Sequence, residues 1–494
     1  WLKSDLGSAR PDPDQSFILS FSSAMWVPLL LLLVFVTAFA FFGGKVASWI
    51  WPPAAFDVAA FLAAKERQDF PPRNVVVILN PVAGGQGKAS AIWSKAKAVL
   101  DAFGPHIDVT LVRTTAAGHA RRWAAQELTL EVDTVLCIGG DGTLFEIVNG
   151  IFSRPDALAI VSKVALAVVP AGSGNGLGTS LGISPQEVEK AVAIAMRGRR
   201  KKLNIMKVRQ GPIEIFCFLF MAYGLIADCD FESEAYRLLG PLRFHVAAVI
   251  RILFKRSYRV KIRYTPVVEF ENLDDLGTHC QSAQLVEREL EVTGIIVSNC
   301  PWMTCDFLCA PKSAMDDGFL DVTFGLSTMT QSQMIQMLIN SETGGLSAPN
   351  LTRCAVDVAM ALLFEIASTD PLYPIALSHV SHVDAVLPII IHGSFLWARF
   401  HLSKSTLRSR HECTEGASTS CITCDFHFTR YINFPSVRYF KTKQILVEAI
   451  GGGLPNFFLD DNCRKGQFDL DGESFTANAP LDLCVHDVDL QICC

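Results

Sequence analysis

Three glycine-rich stretches could hold a phosphate group with backbone amides. They are residues 80–87, which begin Asn-Pro and contain Gly-Gly-Gln-Gly, residues 139–143 (Gly-Gly-Asp-Gly-Thr) and residues 170–176 (Pro-Ala-Gly-Ser-Gly-Asn-Gly). Glycine allows positive φ and lets a ligand approach the backbone closely. A helix that begins just beyond such a turn also presents free N–H groups to an anion. The three stretches therefore favour phosphate binding, although any one of them could be a tight turn with nothing bound.

Asp141 lies inside the second of these stretches. A carboxylate repels a phosphate, so its position there calls for another role. The simplest role is that of a general base, which accepts the proton of an attacking hydroxyl group. The alternative is that Asp141 caps the helix that follows it.

The first stretch is not a Walker P-loop. Val82 occupies the position of the first glycine, and Ala89 replaces the Ser or Thr that would hold Mg²⁺ after Lys88. The protein-kinase signatures are also missing from the sequence. Phosphate binding would therefore depend on backbone amides and on cations from other parts of the chain.

The elements around these stretches predict a doubly wound α/β domain. Apolar runs at 74–79, 134–138 and 165–169 are typical of strands buried on both faces, and each ends in one of the glycine-rich stretches. Helical patterns follow two of the runs, and strands that alternate with helices form a parallel sheet. Ligands bind beyond the carboxyl ends of such strands. The three stretches should therefore meet at one edge of the sheet.

A second domain should follow the basic stretch 197–202. Strand patterns at 213–223, 260–270, 285–298 and 319–324 lack helical crossovers, so they predict an antiparallel domain. We expect an α/β domain at 74–200 and a β-rich domain at 201–340. Residues 341–430 fit neither and are interpreted as a disordered insertion or translated intron, after which 431–494 return to the β-rich domain.

The amino-terminal segment 1–73 contains an uncharged apolar run at 24–44. About 20 apolar residues can cross a bilayer, so we predict a transmembrane helix there, with a polar linker after it. A cleaved signal peptide is the alternative, but its apolar region is normally shorter.

The charge, hydrophobic content and cysteine count of the chain limit which partners it can bind and in which compartment it can work. The 494 residues include 43 Lys and Arg and 49 Asp and Glu, a net charge of −6, which argues against a nucleic-acid binder. Half of the residues are hydrophobic and the mean hydropathy is +0.31, which excludes a disordered chain. The 15 cysteines are an odd number, and several lie in apolar runs, as reduced thiols do. We expect a membrane-associated protein whose catalytic domains face the cytosol.

The three stretches, in this order, resemble the catalytic domain of the diacylglycerol kinase superfamily, which includes sphingosine and ceramide kinases. Residues 222–244 are similar to sphingosine kinases in particular. The resemblance implies an α/β nucleotide domain followed by a β-sandwich lipid domain. It also implies an enzyme that uses ATP and Mg²⁺ to phosphorylate the primary hydroxyl of a sphingoid base. The magnesium ligands would be ATP oxygens and water, with one acidic residue at most, and no protein metal site is expected.

The resemblance also implies roles for individual residues. Asp141 would be the catalytic base, and Asp230 would face the amino-alcohol head of the lipid. The lipid hydroxyl would bind at Gly139, Gly140, Asp141 and Gly142. The residues implied to bind ATP are Asn80, Pro81, Val82, Thr114, Thr115, Ala116, Ala117, Gly118, Glu146, Gly172, Ser173, Gly174, Arg237, Arg243, Asp471, Gly472 and Glu473.

Other functions stay open at this point. Gly139 stands where sphingosine kinases often have Ser and diacylglycerol kinases have Gly, so a ceramide or diacylglycerol kinase is the first alternative. NAD kinases share the Gly-Gly-Asp-Gly turn but not the stretch 228–244. An inactive lipid-binding protein is the least favoured, because Asp141 and all three turns are present.

Overall fold

The computed structural model describes residues 72–85, 88–104, 106–239, 242–270, 278–279, 284–334, 337, 386–391, 394–399, 436–452 and 466–494. Contacts divide the chain into two compact units, residues 54–346 with 425–494, and residues 1–53 with 347–424. The predicted transmembrane segment 24–44 lies outside the described residues. Within the ranges described, no helix combines the length and apolar character needed to cross a bilayer.

The larger unit begins with a six-stranded sheet. Its strands are β1 (Asn74–Leu79), β2 (Asp108–Arg113), β3 (Thr134–Gly139), β4 (Ala165–Pro170), β5 (Arg200–Leu203) and the carboxyl-terminal Leu490–Cys493. The first four lie in the order β2-β1-β3-β4, and all are parallel. Every residue of β3 is buried, as expected for a central strand covered on both faces. The predicted parallel sheet is confirmed.

Helices connect these strands and cover the sheet. They are α1 (Lys88–Ala102), α2 (His119–Gln126), α3 (Asp141–Phe152), α4 (Ala157–Lys163), α5 (Gly176–Ser180) and α6 (Val188–Arg197). The buried side chains of α1, among them Ile92, Ala96 and Val99, recur at helical spacing. The strand-then-helix order therefore follows the pattern predicted from the sequence.

The carboxyl-terminal strand differs from the predicted domain boundary. Leu490–Cys493 pairs in parallel with β4 and antiparallel with β5, so it belongs to the six-stranded sheet rather than to the β-rich domain. Leu490 and Ile492 are 1% and 0% exposed. This apolar pair fills the gap between β5, 287 residues earlier at the Leu203–Leu490 pair, and β4, 326 residues earlier at the Ala165–Gln491 pair, which no local pattern could reveal.

The second sheet is antiparallel and has eleven strands. They are β6 (Met206–Gln210), β7 (Ile213–Cys217), β8 (Phe220–Gly224), β9 (Tyr258–Phe270), β10 (Thr278–His279), β11 (Val286–Ser298), Leu320–Leu326, Val437–Gly452, Gln467–Leu470, Glu473–Thr476 and Leu481–Val485. A short hairpin, β12 (Trp302–Thr304) with β13 (Phe307–Leu308), lies between β11 and Leu320–Leu326. The predicted antiparallel domain is confirmed.

This sheet differs from the predicted two-sheet sandwich, because all eleven strands belong to one hydrogen-bonded network. The long strand β11 pairs with β9 over 286–292 and with Leu320–Leu326 over 292–298, where the register shifts. Strands of 13 to 16 residues can change neighbours along their length, so the sheet wraps around its own core. The predicted strand 213–223 is likewise two strands, which a turn at Phe218 and Leu219 separates.

Helical segments follow β8. They are α7 (Leu225–Ser233), a 3₁₀ helix at Glu234–Leu239 and α8 (Leu242–Leu253). In the smaller unit, Val386–Ile391 and Ser394–Arg399 form an antiparallel hairpin. The hairpin lies inside the range 341–430, where we expected no regular structure. Its first strand contains the β-branched run of Ile389, Ile390 and Ile391, which favours a strand.

Three apolar cores hold the larger unit together. One lies between the six-stranded sheet and helices α1 and α6. The second joins the opposite face of that sheet to residues of the antiparallel sheet, including Phe218 and Phe220. The third fills the inside of the antiparallel sheet around Tyr223 and Phe468. The second core makes the two sheets one folded unit.

Lys441 is a buried cation in the antiparallel sheet, and it provides a test of the fold. Its Nζ lies 2.7 Å from Asp317 and 3.0 Å from Asp321, whose side chain is 0% exposed. Lys441→Ala would leave Asp321 buried without its cation, so we predict a loss of about 3–5 kcal/mol in the free energy of unfolding. The exposed Lys443, 5.9 Å from the Phe319 ring, supplies the control, and Lys443→Ala should cost less than about 1 kcal/mol. Equal losses in urea unfolding would contradict this assignment.

Candidate active site

The three glycine-rich stretches meet at the carboxyl ends of β1, β3 and β4. A β-carbon on Gly172 would lie 2.4 Å from the Cα of Gly140, so the second and third stretches touch through their backbones. A β-carbon on Gly84 would lie 2.4 Å from the carbonyl oxygen of Ala171, which joins the first stretch to the third. Asn80 Nδ2 donates a 3.0 Å hydrogen bond to Thr143 Oγ1, which joins the first to the second. The predicted convergence is confirmed.

Thr143 explains why position 139 is glycine. A β-carbon at 139 would lie 2.8 Å from Thr143 Oγ1 and 2.9 Å from its Cβ. Thr143 is 7% exposed, and its hydroxyl accepts the bond from Asn80. The glycine at position 139 is therefore matched to the close approach of the Thr143 side chain.

Asp141 is the first residue of α3, and its carboxylate points across the cleft. Oδ2 accepts a 2.9 Å hydrogen bond from the N–H of Gly176, and Oδ1 accepts one of 3.3 Å from Leu177. The side chain therefore caps α5 rather than the helix that it begins. Burial raises the pKa of Asp141 above its usual value, although these backbone N–H groups act in the opposite direction. A carboxylate with a raised pKa and fixed orientation can accept a proton.

Asn175 closes the third stretch. It adopts the left-handed conformation with a φ of 57°, and its side chain both accepts from the N–H of Gly172 at 2.9 Å and donates to the Gly172 carbonyl at 2.8 Å. It is 3% exposed. Asn tolerates this conformation better than most residues. The turn that faces Asp141 is thus held by a buried side chain that is absent from the residues predicted to bind ATP or lipid.

Glu146 ties the segment 114–118 to the site. Its Oε1 accepts a 2.7 Å bond from the N–H of Gly118, and its Oε2 accepts one of 3.1 Å from Ala120, at the start of α2. Thr114 donates its N–H to the Leu79 carbonyl at 2.9 Å. The predicted nucleotide residues Thr114, Thr115, Ala116, Ala117 and Gly118 therefore lie beside the end of β1, next to Asn80.

Asp471 uses its carboxylate inside the protein. Oδ2 accepts a 2.8 Å bond from the N–H of Phe218, and Oδ1 accepts bonds from Leu219 and Phe220 at 3.1 and 2.8 Å. Burial raises the pKa of Asp471 to about 7. Gly472 and Glu473 are exposed at the tip of the same turn. Of the predicted group 471–473, Gly472 and Glu473 are open to solvent, and Asp471 holds the turn.

Asp230 lies on α7 and is half-buried, and none of the side chains that the structure describes forms a hydrogen bond or ion pair with its carboxylate. Burial raises its pKa to about 6, while nearby Arg243 acts to lower it. Arg243 itself pairs with Glu234 and lies 4.5 Å from the ring of Phe244. For Arg243 to contact a triphosphate as predicted, its ion pair with Glu234 would have to break. Arg237 lies in the 3₁₀ helix, and its side chain is outside the description.

Pro81, Val82 and Ser173 complete the predicted set. Val82 is 71% exposed, and its N–H donates to Asn80 Oδ1 at 3.2 Å. Lys88, which we set aside because the P-loop pattern fails, lies in the same region. Its Nζ is 3.4 Å from the position that a β-carbon on Gly84 would take. The chain therefore places one cation on the first turn that motif matching did not assign.

A magnesium ion would need most of its ligands from a nucleotide. The described residues contain no group of three or more His, Cys, Asp or Glu side chains that could hold a metal. Mg²⁺ keeps several waters and binds substrate phosphates with one or two carboxylates. The exposed Glu473 fits such a partial role, and Asp141 already accepts backbone N–H groups at both oxygens.

Comparison with known proteins agrees with this geometry. Residues 74–208 match the family described as the diacylglycerol kinase catalytic domain. Sphingosine kinase 1 of Arabidopsis thaliana is 29% identical over 276 residues, which cover 51% of this chain and 56% of that protein. Sphingosine kinase 1 of Homo sapiens is 34% identical over 205 residues, 40% of this chain and 53% of that protein. Residues 74–208 are therefore assigned by similarity to this catalytic domain, which these sphingosine kinases resemble over about half of their length.

The matched segment carries all three glycine-rich turns and Asp141. The chain spans little more than half the length of the curated relatives it matches. Among solved structures, a diacylglycerol kinase from Bacillus anthracis str. Sterne aligns at 17% identity with a TM-score of 0.47, covering 86% of this chain and 97% of that one.

The contact between turns can be tested with two glycines of the catalytic domain. Gly172→Ala places a methyl group against the Cα of Gly140, so we predict a loss of about 1–3 kcal/mol in unfolding free energy and at least tenfold weaker binding of an ATP analogue. At Gly142 a β-carbon would meet no atom within 4 Å. Gly142→Ala should therefore leave the unfolding free energy unchanged or slightly raised. Indistinguishable melting of the two variants would argue against the contact.

Proposed function

We propose that this protein is an ATP-dependent lipid kinase that transfers the γ-phosphoryl group to the primary hydroxyl of a sphingoid base, converting sphingosine to sphingosine 1-phosphate. The observation that carries the proposal is the placement of Asp141 among three amide-lined turns that touch one another. The similar plant and human proteins are sphingosine kinases by name, which supports the same reaction.

Asp141 would act as the general base. Its oxygens face the N-terminal turn of α5, so the carboxylate is held in one orientation beside the backbone amides that would cradle the phosphates. Burial raises its pKa, which makes it a stronger proton acceptor than an exposed aspartate. The lipid hydroxyl would give its proton to Asp141 as its oxygen attacks the γ-phosphorus, and the phosphoryl group would leave ADP.

The nucleotide would lie over the segments that two sets of hydrogen bonds connect. Asn80 bonds to Thr143, and Glu146 bonds to the start of α2. Asn80 and Glu146 hold the ends of β1 and β3 and the start of α2 in fixed relation. Mg²⁺, when bound, would neutralise phosphate charge between ATP oxygens and water. Lys88 at the first turn would supply positive charge, and Arg243 would supply more if it released Glu234.

Asp230 supports a sphingoid base over a neutral lipid. None of the described side chains forms a hydrogen bond or ion pair with this half-buried carboxylate, and Glu473 and the buried Asp469 add negative charge close to it, while Arg243 acts in the opposite direction. A carboxylate removed from water is stabilised by a cation that arrives with the ligand. Sphingosine carries an ammonium group at its head, whereas ceramide and diacylglycerol do not.

The protein would act at a membrane, with this site facing the cytosol. Cys137, Cys217 and Cys229 are buried free thiols, which is typical of a reducing compartment. The lipid substrate and the apolar run 24–44 both favour membrane association. No nucleic-acid partner is proposed, because the chain is acidic overall.

A panel of lipids tests the proposed reaction. With radiolabelled ATP, we expect the full chain to label sphingosine and neither ceramide nor diacylglycerol. Asp141→Asn should lower kcat by about 10²–10⁴-fold because the general base is lost. Asn keeps one oxygen for the N–H groups of Gly176 and Leu177, so its unfolding midpoint should stay close to that of the wild type. Turnover of Asp141→Asn within tenfold of the wild type would rule out the base role.

Asp230→Asn tests recognition of the ammonium. We predict that the KM for sphingosine rises roughly 10- to 100-fold, as expected for loss of a charge-assisted contact, while the KM for ATP changes less than threefold. The matched control is Glu234→Gln, because Glu234 is a neighbouring exposed carboxylate that already pairs with Arg243.

The same contact predicts a pH dependence. Asp230 has a pKa of about 6, so it loses its negative charge as the pH falls through that value. The lipid ammonium stays protonated over this range, so the KM for sphingosine should rise below about pH 6 in the wild type and stay flat in Asp230→Asn. A wild-type KM that does not change between pH 5 and pH 7.5 would contradict the role of Asp230.

A further inference from the structure

The hairpin β12–β13 of the second half of the chain is docked on the third glycine-rich turn. The N–H of Cys305 donates a 2.7 Å hydrogen bond to the carbonyl of Gly174, and Thr304 forms an isolated antiparallel bridge with Asn175. The N–H of Trp302 reaches Ser180 Oγ at 3.3 Å, at the far end of α5. Three contacts therefore run along the whole length of α5 and the turn before it.

Gly176 shows how tight this docking is. A β-carbon at Gly176 would lie 2.3 Å from the carbonyl oxygen of Met303 and 2.8 Å from that of Trp302. The hairpin backbone thus packs directly on the residue whose N–H donates to Asp141 at 2.9 Å. On the other side of the turn, the position of a β-carbon at Gly174 would be 3.3 Å from Asp141 Oδ2 and 3.7 Å from the methyl carbon of Thr304.

We propose that the hairpin Trp302–Leu308 positions the catalytic carboxylate, and that Cys305 is a positioning residue which acts through its backbone N–H. The inference rests on the proposed function of Asp141. The Cys305–Gly174 bond holds residues 174–177, and the N–H groups of Gly176 and Leu177 in turn hold Asp141. Cys305 itself touches neither the phosphates nor the lipid in this scheme.

The pKa of Asp141 should report whether the Cys305–Gly174 hydrogen bond is intact. Its raised pKa reflects burial opposed by the N–H groups of Gly176 and Leu177, so weakening these bonds raises the pKa further. Among the described residues, Cys137 on β3, Cys300, Cys305 and Asp471 each have a pKa that the charge of Asp141 raises. Substitution of Cys305 leaves the other three in place.

The test compares Cys305→Pro with Cys305→Ala in the full chain. Proline removes the N–H that bonds Gly174, whereas alanine keeps it and shortens only the side chain. We expect Cys305→Pro to lower kcat at least tenfold, to leave the KM for ATP within threefold, and to move the acid limb of the kcat–pH profile to higher pH. Cys305→Ala should match the wild type within twofold in all three measurements.

Two results would overturn the inference. One is a Cys305→Pro enzyme that behaves as Cys305→Ala does. The other is a loss of kcat with an unmoved acid limb, since a merely structural defect would produce it. A wild-type chain that phosphorylates no lipid of the panel is a different failure, which refutes the proposed function itself.

Amide hydrogen exchange of the wild type decides the matter if Cys305→Pro does not fold. A non-hydrolysable ATP analogue should slow exchange in residues 174–177 and in residues 302–307 together, because the hairpin is bonded to the turn. Protection confined to 174–177 would show that the hairpin is not coupled to the site.

Discussion

Direct contact between the backbones of Gly140 and Gly172 is the constraint on which the site depends. A side chain at Gly172 would force the second and third turns apart, since its β-carbon would lie 2.4 Å from the Cα of Gly140, whereas a β-carbon at Gly140 would make a tight contact of 3.1 Å with the Cα of Gly172. Because the turns touch, Asp141 at the start of α3 can reach the N–H groups of α5. Because Gly140 and Gly172 have no side chains, the catalytic carboxylate and the phosphate-binding amides of the proposed reaction can lie close together.

Carboxylates that accept backbone N–H groups are used three times around the cleft. Asp141 holds the start of α5, Glu146 holds the start of α2, and Asp471 holds the turn between β7 and β8. Hydrogen bonds to a charged group contribute about 1.5–3 kcal/mol each, more than bonds between neutral groups. Each carboxylate joins segments that are distant in sequence. The turns are therefore oriented by hydrogen bonds to backbone N–H groups, and these bonds involve no Lys or Arg side chain.

Local sequence patterns predicted most of the strands of the parallel sheet and the edge at which the glycine-rich turns meet. Apolar β-branched runs predicted β1, β3 and β4, because a strand covered on both faces needs apolar side chains at consecutive positions. Glycine turns after those strands predicted a common edge, since parallel strands share their carboxyl ends. The same reasoning predicted an antiparallel second domain, although it joined β7 and β8 into one strand because Phe218 and Leu219 continue the apolar run.

Tertiary structure alone decided what each polar side chain holds. The residue type of Asp141 and its place in a turn were evident, but its partners Gly176 and Leu177 follow a different strand. The partners of Asp471 lie about 250 residues away, and the third turn is covered by a hairpin more than 120 residues further along the chain. The reason is physical: a pattern of side chains reports burial and local conformation, whereas hydrogen bonds and close backbone contacts between distant segments form only when the chain has packed.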